Sequence, residues 1–157
     1  SSAKQNRKVY GLDMNLKEIE LARKSGAYYK VKMGDALDMP FKDNFFSTVF
    51  TNSVLEHTYS LHLSLKEITR VLKPGGKLYV TIPSDRFTKE LFFTKLFTKL
   101  NLLFLAAFYE AFFLWLFKVN PKNLLAIKDW KKEFKRAGLK IGEYKYYNVH
   151  YTYMSVK

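Results

Sequence analysis

Val9-Tyr10-Gly11-Leu12-Asp13-Met14-Asn15-Leu16-Lys17-Glu18-Ile19 reads as a short apolar strand closed by a carboxylate and followed at once by the start of a helix. Asn15 with Glu18 three residues later makes a capping-box-like signal, and Leu16, Ile19 and Ala22 recur at helical spacing until Gly26 stops them. A carboxylate at that position has two uses. It caps the following turn, or it holds the ribose hydroxyls of a nucleotide cofactor whose other parts lie on a neighbouring strand and loop. No glycine-rich loop comes before it.

Beyond that helix, Tyr28–Met33 reads as a second strand that ends at Gly34-Asp35. Lys42-Asp43-Asn44 is a polar turn before a third strand, Phe46–Thr51. Leu61, Leu65, Ile68 and Leu72 form a helix face ended by Pro74-Gly75-Gly76, and Lys77–Ile82 is a further strand. Such alternation argues for an α/β fold with a doubly wound, mostly parallel sheet. Asp35, in a Gly-Asp-Ala turn one strand after Asp13, adds a second carboxylate. One acid then takes ribose and the other the exocyclic amine of adenine. Lys73-Pro74-Gly75-Gly76 is a structural turn, because it lacks the spacing of a phosphate-binding loop.

The composition shifts after Pro83. Phe92, Phe93, Leu96, Phe97 and Leu100 share one side of an expected helix over Thr88–Leu100, with Lys95 and Lys99 off that side. Leu102–Phe117 is apolar nearly all round, with Glu110 as its one charge, and its uninterrupted stretches fall short of the roughly 20 residues a membrane span needs. Two readings stand: an internal helix pair that completes the core, or an apolar lid or interfacial hairpin that brings Lys89, Lys95 and Lys99 against anionic lipid. The second accounts for charge and aromaticity together. Trp130, Phe134 and Ala137 then form a helix face ended by Gly138, and residues 139–157 supply two aromatic-rich strands.

A chain of 157 residues, 48% hydrophobic and 17% aromatic, is one domain with ample material for a core. The absence of cysteine excludes disulfides, thiolate catalysis and zinc–cysteine sites. A net charge of +13 points to nucleic acid or an anionic membrane, but only five of the 27 basic residues are arginine, the residue that nucleic-acid contacts favour. Scattered lysine also fits a plain solvated surface. No apolar run follows the polar first eight residues, so the default expectation for location is cytoplasmic, peripheral at a membrane if the hairpin reading holds.

Five motifs stand in order: Gly11-Leu12-Asp13; Gly34-Asp35-Ala36-Leu37-Asp38-Met39-Pro40-Phe41; Phe46-Ser47-Thr48-Val49-Phe50; Ser53-Val54-Leu55-Glu56-His57; and Arg70 through Leu78 with Lys-Pro-Gly-Gly-Lys at its centre. This series resembles the class I S-adenosylmethionine-dependent methyltransferases, in the branch that modifies small molecules, quinones and lipids. The likeness covers Val9 to about Ser84 closely and Asp129–Ile141 more loosely. It implies a Rossmann-like sheet with an antiparallel C-terminal strand, and one partial methyltransferase domain over residues 1–157 with an apolar helical insertion at about 86–125.

The resemblance implies S-adenosylmethionine as cofactor. Asp13 would hold the ribose, Met14 would pack on the adenine, Asp35 and Ala36 would meet its edge and Leu37 its face. Asn52 and Ser53 would stand at the methionine end. The family's first strand and glycine-rich loop, where backbone approaches the cofactor closely, are missing from this sequence. Because that strand is central, an expectation follows. Either the chain is a fragment, or an upstream segment or another chain supplies the strand, or the two flanking strands pair directly.

His57, placed just after a strand end, is the candidate catalytic base; its alternative is to cap or pack the next turn. The run Val54–His57 also resembles the ubiquinone O-methyltransferases, whose Glu-x-x-Glu-His cluster is associated with magnesium. Ser53 stands where the earlier glutamate would be, so no metal is expected. His62 and His150 read as surface or core histidines. The expected function is methyl transfer to a small, apolar or lipid-like acceptor. A domain methylating RNA or protein through the basic surface, and a noncatalytic binding module, are the alternatives.

Overall fold

The structure, a computed structural model, describes residues 8–83, 85, 87–147 and 151–156. Ser84, Arg86 and His150 lie outside the described residues. Strand β1 (Tyr10–Asp13) pairs in parallel with β2 (Lys30–Met33), and α1 (Leu16–Lys24) crosses between them. The Asn15 side chain accepts a hydrogen bond from the Lys17 amide at 3.0 Å, which satisfies one of the free donors at the helix start.

Strand β3 (Phe46–Asn52) runs parallel to β4 (Leu72–Pro83), connected through α2 (Leu61–Val71). The chain closes with α5 (Ile127–Arg136) and the antiparallel strands β5 (Ile141–Tyr147) and β6 (Tyr151–Val156), giving a sheet ordered β3-β4-β6-β5. This is the Rossmann-like arrangement with an antiparallel C-terminal element. One boundary differs from the sequence reading: Leu72 belongs to the strand, not the helix. Phe46 pairs with Leu72 and Thr48 with Lys77, so Lys73–Gly76 bulges out of β4, with Gly75 at φ 74. Proline cannot donate to a ladder, and a bulge accommodates it.

The sheet is in two pieces, parted between β1 and β3. Direct pairing of these two strands, one of the three expected outcomes, is not found among the described residues. They meet instead through an aromatic cluster near their starts. The Tyr10 ring lies 5.3 Å from Phe45, 5.6 Å from Phe46 and 6.0 Å from Phe41. Further along β3 the Phe50 side chain is 66% exposed, unusual for a large aromatic residue in a strand. The parting falls where the family resemblance places the absent first strand.

The main core lies between α2, α5 and β4. Leu65, Ile68, Leu78, Val80, Ile82, Trp130 and Phe134 are buried there. The residues Leu78, Val80 and Ile82 alternate along β4 as one strand face requires, and Trp130 and Phe134 sit one helical turn apart with rings 5.3 Å from each other. Arg70 of α2 fastens the loop after β2 to this body. Its guanidinium donates to the Phe41 and Met39 carbonyls at 2.8 and 3.0 Å and to the Asp43 carboxylate at 2.7 Å, and Glu67 accepts from the Met39 amide at 2.9 Å.

Between β4 and α5 the chain forms a helical pair, α3 (Phe92–Lys99) and α4 (Leu103–Leu116). Extended backbone at Leu91 separates α3 from a 3-10 turn over Thr88–Glu90, dividing the single helix expected there. Thr94 on α3 and Ala106 on α4 are the buried residues of the pair, and neither helix joins the main core. The internal-pair reading is therefore corrected: apolar side chains that would complete a core stand in solvent. No described helix is long and apolar enough to cross a membrane.

Candidate active site

The candidate site lies at the C-terminal ends of β1, β2 and β3, the edge where open α/β sheets bind ligands. Asp13 stands opposite Met33, and the Gly34 amide donates to the Asp13 carbonyl at 3.0 Å. Parallel pairing thus brings the acids Asp13 and Asp35 to the ends of adjacent strands. A Cβ on Gly34 would lie 2.8 Å from both the Leu12 side chain and the Pro40 ring, so only glycine lets the chain turn this closely over β1.

Asp13 Oδ1 accepts from the Asn15 amide at 2.7 Å, so the turn-capping use is present. Its other oxygen has no protein donor among the described residues, and the residue is exposed. A carboxylate has about four lone-pair sites, so capping and ribose binding are compatible. Asp35 Oδ1 likewise accepts from the Leu37 amide at 2.9 Å, which folds Ala36 and Leu37, both half-buried, into a tight turn beside it. Met14 projects into solvent. These acceptors and apolar surfaces have the chemistry an adenosine moiety requires.

On the other side of the parting, Asn52 ends β3 with its side-chain oxygen Oδ1 accepting from the Thr81 hydroxyl. Ser53 follows at φ 50, its amide donating to the Thr81 carbonyl at 2.9 Å. This left-handed residue turns the chain from the strand into a 3-10 turn, Leu55–His57. Leu55 and Glu56 are buried and His57 is exposed. The His57 Nδ1 lies 3.1 Å from the Lys118 carbonyl oxygen. A carbonyl only accepts, so Nδ1 carries the proton in this bond, and neutral His57 presents the Nε2 lone pair. Glu56 Oε1 is 3.9 Å from that Nε2.

Glu56 is 1% exposed and its Oε2 has no hydrogen-bond partner among the described residues. Burial pushes its carboxyl pKa above the ordinary value of 4.5, against smaller opposing effects of its backbone hydrogen bond, His57 and the Ser53 hydroxyl. Above that ordinary value the folded state therefore binds more protons than the unfolded state, and stability falls as pH rises through the shifted pKa. Glu56→Gln lacks this loss. Urea midpoints are expected to show the variant gaining on the wild type between pH 4 and pH 7; a difference that shrinks with pH contradicts the assignment.

The segment after α4 clamps this turn from outside. The Asn120 amide donates to the Glu56 carbonyl at 2.9 Å, and buried Asn123 donates through Nδ2 to the Leu55 and Thr58 carbonyls at 3.0 and 2.8 Å. An open, mostly apolar groove of about 700 Å³ runs along the same segment, lined by Ala111, Leu114, Trp115, Leu116, Val119 and Pro121. His57 thus stands beside a surface suited to an apolar ring. The sequence reading passed over Asn120 and Asn123; the Asn-Pro-Lys-Asn run is itself a turn signal, but its target 65 residues upstream is set by the fold alone. His62 is exposed on α2.

A profile of the family described as "Methyltransferase domain" matches residues 1–80. The chain belongs to the class I S-adenosylmethionine-dependent methyltransferases. Among curated relatives, the demethylmenaquinone methyltransferase of Lactococcus lactis subsp. lactis is 30% identical over 148 residues, covering 87% of this chain and 58% of that protein. The demethylmenaquinone methyltransferase of Symbiobacterium thermophilum is 36% identical over 95 residues, covering 55% of this chain and 38% of that protein. The chain spans about half the length of these relatives.

Among solved structures, an S-adenosylmethionine-dependent methyltransferase from Mesorhizobium loti superimposes with a TM-score of 0.71 at 12% identity, over 95% of this chain and 79% of that one. One from Aquifex aeolicus gives 0.67 at 14% identity, over 98% of this chain and 70% of that one. At such identities the likeness is one of fold, and it confirms the Rossmann-like class.

Proposed function

We propose that the protein transfers a methyl group from S-adenosylmethionine to a small, apolar, hydroxylated ring of quinone type. The observation that carries this reading is the pair of carboxylates, Asp13 and Asp35, at the ends of adjacent parallel strands, with His57 one turn beyond β3 and beside an apolar groove. The names of the curated relatives support the acceptor class. When bound, the cofactor supplies an electrophilic methyl on a sulfonium.

The chain's own residues bind and position. Asp13 accepts from the ribose hydroxyls, Met14 and Leu37 pack on the adenine, Asp35 and Ala36 meet its edge, and Asn52 and Ser53 face the methionine end. An acceptor ring lying in the groove gives its hydroxyl proton to His57 Nε2. Glu56, when ionised, stabilises the resulting imidazolium across 3.9 Å. We place this work in the cytoplasm at a membrane surface, where an apolar acceptor resides, with the strand between β1 and β3 supplied by another segment or chain.

RNA or protein as substrate, and a noncatalytic role, are less favoured: the arginine-poor charge offers few bidentate contacts, and the groove is apolar. Transfer of labelled methyl from S-adenosylmethionine by the full-length protein tests the reading. Label is expected in a demethylated quinol, and His57→Ala lowers kcat about a hundredfold while leaving cofactor affinity unchanged. Label found in RNA or protein and never in the quinol would sink it.

A further inference from the structure

α4 breaks the rule that an apolar helix is a buried one. Phe104, Phe108, Phe112 and Trp115 follow each other at i, i+4, i+8 and i+11, so one stripe of the helix is wholly aromatic. All four are exposed, Phe104 to 82% and Trp115 to 73%. Leu103 beside the stripe and Leu100 and Leu102 at the turn before the helix are exposed as well. The opposite side is occupied within the pair: Tyr109 packs on Phe93 and Phe97 of α3, and Phe113 on Phe87.

Charge indicates what covers the stripe. From Phe87 to Lys128 the sequence has six lysines and two glutamates. Glu90 is ion-paired with Lys95, and Glu110 is half-buried, its Oε2 3.4 Å from the Thr88 hydroxyl. Lys89, Lys99, Lys118 and Lys122 are exposed; Lys89 precedes α3, and Lys99 before α4 with Lys118 and Lys122 after it flank the two ends of α4. A second copy would bring the same positive rim against itself, in a chain of net charge +13. An anionic surface is drawn to that rim and accepts the aromatic residues below it. α4 has 14 residues and spans about 21 Å, too short to cross a bilayer but fitted to lie in its interface.

We infer that the aromatic stripe of α4, rimmed by lysines, docks the protein on an anionic phospholipid bilayer. This deepens the membrane placement proposed above by naming the face. It requires neither cofactor nor acceptor, so it is tested apart from methyl transfer.

The sequence contains two tryptophans, Trp115 in the stripe and Trp130 buried in the core at 1% exposure. Emission of the full-length protein is expected to shift to the blue on adding phosphatidylglycerol–phosphatidylcholine vesicles, and to be quenched when the lipids are brominated. Trp115→Phe abolishes the shift while Trp130 still reports an intact core. Phe104→Glu and Phe108→Glu each lower the fraction floated with vesicles by about tenfold, and salt weakens binding by screening the lysines. No flotation with anionic vesicles overturns the inference, as does flotation that leaves Trp115 emission unchanged. Trp115 emission, read as the difference between wild type and Trp115→Phe, that is already blue before lipid is added means that a second copy or another protein segment covers the stripe, and overturns it equally.

Discussion

Replacing Asp13 by alanine is expected to lower the affinity for S-adenosylmethionine by ten- to about a hundredfold, while cofactor-free stability changes by less than about 1 kcal/mol. Two ribose hydroxyls donating to a carboxylate make charge-assisted bonds, each contributing about 1.5–3 kcal/mol at most, and exposure of Asp13 reduces that figure. The stability cost is small because only the 2.7 Å bond from the Asn15 amide is lost within the protein. Asp13→Asn separates the two uses of the side chain. It keeps an acceptor for Asn15 but removes the charge, so its affinity should fall between wild type and alanine with the fold unaffected. Titration calorimetry beside thermal melts reads both effects.

The largest effect on folding is expected at Phe134. Phe134→Ala removes a side chain with no exposed surface that stacks on Trp130 in the main core, and the cavity left behind costs about 3–5 kcal/mol. Against a total of roughly 5–15 kcal/mol, that loss is a large share of all the stability there is. The urea midpoint should fall with an unchanged slope. Phe104→Ala in α4 is the control: the same change of side chain at an 82% exposed site stays within about 0.5 kcal/mol. Equal losses at the two positions would contradict the placement of the core.

That contrast marks where the sequence is readable. The helical spacing of Trp130, Phe134 and Ala137 predicts a buried face, and α5 buries it, because an isolated apolar stripe on a polar helix has one side to hide. Leu102–Phe117 has no polar side, so periodicity says nothing about which face is covered, and both the buried and interfacial readings fitted until the structure put the residues in solvent. The order of strands and the acids at their ends were legible for the same local reason: Asp13 and Asp35 each close a short apolar run before a turn.

Long-range hydrogen bonds were not legible. Nothing near Arg70 announces that its guanidinium will hold the Met39 and Phe41 carbonyls, nor does Asn123 announce Leu55 and Thr58. The bulge at Lys73–Gly76 reads as a turn in the sequence because its proline and glycines serve either structure, and only pairing with β3 decides between them. A gap in the sheet follows from the missing central strand, with direct pairing of its neighbours as one alternative; the aromatic contact of Tyr10 with Phe45 and Phe46 in place of strand pairing has no sequence signal.

The proposed adenosine site rests on the ends of β1 and β2. A crystal structure of the full-length protein with S-adenosylhomocysteine tests it most directly. The ribose hydroxyls are expected on the Asp13 carboxylate, the adenine between Met14 and Leu37 with its amine toward Asp35, and the sulfur toward Asn52 and Ser53. A bound ligand that leaves Asp13 and Asp35 untouched would contradict it.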